Sequence, residues 1–137
     1  GSIEGGVGMT PLREFMETLK KTAEENCILD SEICLDELPA SGGIYTELGE
    51  GFTDTIYYNK MEIKTVPVLF LCRDKSQLRC LEQLESICNY FQKLKKHPSG
   101  EQFSWLDTEI AKLPSKIGRD EDGVYHYSCI LRCKLYF

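Results

Sequence analysis

From Val124 to Phe137 the chain alternates between two kinds of side chain. Tyr125, Tyr127, Cys129, Leu131, Cys133, Leu135 and Phe137 take one set of alternate positions, and His126, Ser128, Arg132 and Lys134 take the other. A period of two is the strand period, because successive side chains leave opposite faces of a pleated sheet. One face of this strand is expected to be buried and the other wetter, so the fold must contain a sheet covered on one side.

The cover is legible as two helices. Leu78, Leu81, Leu84, Ile87, Cys88, Phe91 and Leu94 recur every three or four residues, which is the spacing of one helical face. Asp74-Lys75-Ser76-Gln77 ahead of them has capping-box spacing, with Asp74 placed to accept from the Gln77 amide. This helix should end near Lys96, before Pro98-Ser99-Gly100. A first helix is expected over Pro11–Glu25, with Thr10 as N-cap, proline at the first helical position, and Leu12, Phe15, Met16, Leu19 and Ala23 on one face. Residues 1–8 are glycine-rich and lack periodicity. They read as a leader left by cloning ahead of Met9, which makes 9–137 a single domain.

Between the helices the pattern is that of strands. Ile28–Leu38 is mixed and holds at most a short strand. Ile44-Tyr45-Thr46-Glu47-Leu48 is β-prone and bounded by glycines, and Thr55–Asn59 is a loop or a strand extension. Met61–Cys72 alternates and then becomes continuously apolar, with Pro67 predicting an edge or a bulge. After the second helix a weaker strand is expected over Gln102–Ala111, then a polar connection over Pro114–Gly123 into the last strand. The order is α-β-β-β-α-β-β. The fold class is α+β: an antiparallel or mixed sheet of about five strands with two helices on one face.

Composition excludes several functions. At 137 residues, 42% hydrophobic and 28% charged, the chain is an ordinary globular domain that needs neither disulfide nor metal to fold. No apolar run approaches the 18 residues or so required to cross a bilayer, and the N-terminus lacks the basic segment and apolar core of an export signal. Seven cysteines cannot all pair, and reduced thiols are expected. A net charge of −6 argues against specific nucleic-acid binding, since phosphate contacts supply most of that affinity. The nearest basic run, Lys93-Leu94-Lys95-Lys96-His97, falls at a helix end where cations are favoured anyway.

No catalytic, cofactor or metal site is expected. Cys129 and Cys133 lie about 13 Å apart along a strand, too far to share one metal, and Cys80 and Cys88 are two helical turns apart. His97 reads as a solvated helix-end residue and His126 as a polar-face strand residue, neither beside a nucleophile. Asp120-Glu121-Asp122-Gly123 lacks the further ligands of a calcium loop and reads as a tight acidic turn. The sharpest enzymatic alternative is Asp54 with Glu62-Ile63-Lys64. An acid followed by Glu-x-Lys on an adjacent strand is one way to build a magnesium-dependent nuclease site, although the pattern is short and common by chance.

The stretch Leu113-Pro114-Ser115-Lys116-Ile117-Gly118-Arg119-Asp120-Glu121-Asp122-Gly123-Val124-Tyr125, running into the final strand, resembles the C-terminal signature of bacteriophage minor capsid proteins of the tail-terminator type. In that family an Ile-Gly-Arg-Asp-Glu-x-Gly turn leads into the last strand. The resemblance implies a virion protein, assembled in the bacterial host cytoplasm, that forms a ring, typically a hexamer. Such a ring caps the tail tube and joins it to the head connector, with no cofactor and no membrane. A head-completion or stopper role at the same junction is the alternative within that context. Ile117, Gly118, Arg119, Asp120, Glu121 and Gly123 are then either a contact to a neighbouring subunit or a turn, salt-bridged through Arg119, that sets the register of the hairpin.

Overall fold

The computed structural model describes residues 10–30, 32–36, 42–49, 53–56 and 62–136, without the side chains of 53–56 and 62. Residues 1–9, the expected leader together with Met9, lie outside the described residues, as do Met61, Phe137 and most of the turn residues near Pro39 and Glu50.

Helix α1 runs over Pro11–Asn26, with the Thr10 hydroxyl accepting from the Arg13 amide. Helix α2 runs over Gln77–Lys93. Its N-cap is Ser76, which accepts from the Arg79 amide, whereas Asp74 accepts from the Ser76 amide one step earlier. The expected Asp74–Gln77 box is therefore replaced by two successive side-chain caps. The helix also stops at Lys93, three residues before the expected Lys96, because Leu94 is already extended.

The strands are β1 (Ile33–Cys34), β2 (Gly43–Leu48), β3 (Thr53–Ile56), β4 (Glu62–Asp74), β5 (Ser104–Arg119) and β6 (Tyr125–Tyr136). They form one mixed sheet in the order β1-β2-β4-β6-β5, with β3 paired to β4 off that path. Only β1 and β2 run parallel; the other pairs are antiparallel. The expected α-β-β-β-α-β-β order and α+β class hold, with β3 as one additional short strand where a loop or strand extension was expected.

Pro67 sits inside β4 without a bulge, in unbroken register with β6, and its other side is a local edge. β2 pairs with β4 from Val68 onward and β3 pairs with it up to Thr65. The Pro67 carbonyl accepts from the Gly49 amide, so its nitrogen faces the same side, into the gap between those two partners. The missing donor thus costs no ladder bond.

Ile44 and Thr46 of β2, Val66, Val68, Phe70 and Cys72 of β4, and Tyr127, Cys129, Leu131, Cys133 and Leu135 of β6 are buried on one face of the sheet. Both helices lie on that face. Phe15 of α1 makes a T-shaped contact with the Trp105 ring, centroids 4.9 Å apart, and Phe91 of α2 stacks on the same ring at 5.3 Å. The segment after α1 is stapled to α2 by the Ile28 amide on the Ser86 hydroxyl, the Asp30 amide on Gln83, and an Arg79–Asp30 ion pair. The largely apolar inner face, with Thr46 satisfied by the Leu69 carbonyl, drives this layering, at roughly 25 cal/mol for each Å² of apolar surface removed from water.

The strand expected over Gln102–Ala111 continues to Arg119, and the polar connection shrinks to 120–124. Four extra residues hide the continuity. Pairing to β6 slips between Trp105 and Asp107, Ile110 and Lys112, Lys112 and Ser115, and Lys116 and Gly118. Each slip sets two residues of β5 against one of β6, which is a β-bulge. The period of two is broken each time, although the ladder is not.

Candidate functional site

The hairpin between β5 and β6 is the candidate site, because the residues singled out by resemblance meet there. The turn closes through two backbone bonds, Asp120 amide to Val124 carbonyl at 2.8 Å and Gly123 amide to Asp120 carbonyl at 2.9 Å. Gly123 has φ +82°, a left-handed conformation that glycine adopts without strain.

Arg119 does not pair with Asp120. The Asp120 carboxylate is instead held from two other strands: Arg73 of β4 donates to Oδ2 at 2.7 Å, and His126 Nε2 lies 2.9 Å from Oδ1. The histidine contact is imperfectly aligned as a hydrogen bond, yet its close approach still favours the ionised carboxylate. Contact with His126 first and Arg73 second holds the Asp120 carboxyl below its ordinary range. The Asp120 carboxylate is thus tied to β4 by the Arg73 salt bridge and to β6 by the His126 contact, and not to Arg119. Arg119 is free to lie over the Tyr125 ring, 5.7 Å from its centre. No spacing rule could have linked Arg73 to Asp120, 47 positions away.

Three of the large apolar side chains left exposed belong to β5: Leu106 at 46%, Leu113 at 66% and Ile117 at 59%. Each falls at a register slip. Leu106 lies between paired Trp105 and Asp107, Leu113 between Lys112 and Ser115, and Ile117 between Lys116 and Gly118. The bulges therefore turn apolar side chains away from the core, which is a recognised use of the bulge. Lys112, Lys116 and Arg119 stand exposed around the last two, and Lys112 donates to the Ser128 hydroxyl.

At the opposite end of the sheet a cleft of about 560 Å³ opens between α1 and β2. Met16, Leu35 and Leu48 give it apolar walls, and Glu17, Asp36 and Glu47 give it carboxylates. Arg13 Nε lies 3.4 Å from Glu17 Oε2, an oxygen shut off from solvent with no hydrogen-bond donor.

His97 is a correction. It is buried, with its ring 5.2 Å from Trp105 and no partner for Nε2, because the loop after α2 folds back over the start of β5. Burial pushes its pKa down, partly offset by Asp107. The same loop is drawn tight at Gly100, where any side chain would collide with the Glu14 carboxylate and the Phe103 ring.

All seven cysteines are free thiols, and among the described residues no group of three or more His, Cys, Asp or Glu could hold a metal ion. Burial pushes the thiols of Cys27 and Cys133 up to about 11 and about 12, so both are poor nucleophiles. Of the nuclease alternative, the backbone register sets Asp54 opposite Lys64 and Ile56 opposite Glu62. Among the described residues no helix is long and apolar enough to cross a membrane. No protein-family model matches the chain, and no curated protein sequence matches it.

Proposed function

We propose that this chain is a structural virion protein of a phage or prophage, of the minor capsid, tail-terminator type. It caps the tail tube and joins it to the head as a ring of identical subunits, a hexamer by resemblance. Its partners are the tail-tube and head-connector proteins, and it acts in virions assembled in the host cytoplasm.

The observation that carries this reading is the Leu113–Tyr125 segment. The residues resembling the family signature form one pre-set turn, closed on itself through Asp120 and Gly123 and tied to β4 through Arg73. A docking surface held rigid before assembly loses little conformational freedom when a partner arrives. The two ends of the sheet also differ in charge and shape, as a head-to-tail ring requires.

Negative-stain imaging of particles from a phage lacking this gene tests the proposal. Overlong tails unattached to heads are expected. Finished tails beside leaking heads would instead assign the chain to head completion, and normal particles would remove it from the junction. The nuclease alternative has its own test: with magnesium present, DNA is expected to remain intact, and cleavage abolished by Glu62→Ala would overturn the structural reading.

A further inference from the structure

We infer that the chain binds a second copy of itself head to tail, the bulged strand β5 of one copy entering the acidic cleft beside β2 of the next. The inference deepens the ring reading above and rests on it for biological meaning, but its chemistry stands on the two surfaces themselves.

β5 is one edge of the sheet and β1-β2 the other. A contact from one edge to the other uses different patches on each partner, so it is heterologous and can propagate into a ring. The projecting surface is Leu113 and Ile117, each turned outward at a bulge and flanked by Lys112, Lys116 and Arg119. Between Lys112 and Arg119 there is no carboxylate. Lys116 and Arg119 have no ion-pair partner among the described residues.

The receiving surface has the complementary character. Its floor is apolar through Met16, Leu35 and Leu48, and its volume of about 560 Å³ admits two branched side chains. Its rim holds three carboxylates against one guanidinium, Arg13. Among the described residues Glu47 receives only the Tyr45 hydroxyl, and no cation pairs with Asp36. Glu17 is already paired with Arg13 on that rim, which leaves Asp36 and Glu47 as the carboxylates open to an incoming ammonium. An apolar centre with a complementary charged rim is the usual anatomy of a specific interface. An edge strand that exposed such residues without a partner would also be an aggregation hazard.

The test uses two variants of the full chain. L113D/I117D spoils the projecting surface, and D36K/E47K spoils the rim of the cleft. All four positions are at the surface, and melting temperatures matching the wild type will show that folding is kept. Sedimentation velocity should show the wild type self-associating with concentration, and each variant alone associating about 100-fold more weakly, as expected when two apolar side chains lose their burial. Mixed in equal amounts, the variants keep one intact interface between them, so the mixture should form a dimer of one copy of each and nothing larger.

A variant that associates like the wild type overturns the inference, as does a mixture that stays monomeric or a wild type that is monomeric at about 1 mM. Failure here is separable from failure of the ring reading. Rings that survive both variants would sink this interface and leave the tail role standing. A mixed dimer together with normal virions from phage carrying the variants would support the interface and remove the tail role.

Discussion

β6 has two long neighbours and treats them differently. Against β4 every residue from Ile63 to Asp74 has a partner in unbroken register, whereas against β5 the register slips four times. β4 is flanked on both sides by other strands and covered by helices, so a one-residue slip would turn Val66, Val68, Phe70 and Cys72 out of the core together. β5 has a free side and can absorb extra residues. It does so without losing its core contacts, since Trp105 and Thr108 stay buried and joined by an indole-to-hydroxyl bond of 2.8 Å. The unbroken ladder specifies the fold, and the bulged one presents a surface.

Four substitutions would break or sharpen that contrast. Leu131→Ala, at a fully buried position opposite Val68 and Ile110, should cost about 3 kcal/mol in urea unfolding through lost burial and an unfilled cavity. Gly123→Ala comes next, at about 1 kcal/mol, because its left-handed φ strains any residue with a β-carbon. A third effect is one of pH. Burial keeps His97 neutral in the folded chain and lowers its pKa, so its contribution is fully present above pH 6.5, the ordinary imidazole value, and is lost as the pH falls through 6.5 toward the lower folded value. Melting temperature should therefore fall on acidification across that range, and His97→Gln should flatten the slope. Smallest of all, Leu113→Ala should change stability by less than about 0.5 kcal/mol. Equal losses for Leu113→Ala and Leu131→Ala would erase the distinction between the two ladders.

The regular ladder was also the legible one. Its alternating residues announced β6, and the apolar run announced β4, because both strands keep the period that an inner face demands. β5 was cut short at Ala111 for the opposite reason. Its bulges insert Leu106, Ala111, Leu113 and Ile117 into the pattern, so the period vanishes where the surface is built, and Pro114-Ser115 then reads as a loop. The turn at Asp120–Gly123 was visible from its glycine and acids. Its anchors were not, since Arg73 and His126 reach Asp120 from separate strands. His97 misled through a local reading of its neighbours: three lysines suggest solvent, while its actual surroundings are Trp105 and the loop folded over it.

Amide hydrogen exchange at low and high protein concentration tests the central claim most directly. Amides of β4 and β6 that pair with each other should exchange only with global unfolding, at a rate independent of concentration. Those between Lys112 and Arg119, together with the cleft residues of α1 and β2, should be less protected in dilute solution and gain protection as concentration rises. Protection in β5 that already equals that of β4 when dilute, or a gain spread evenly over the sheet, would contradict the division of the molecule into a scaffold ladder and a docking edge.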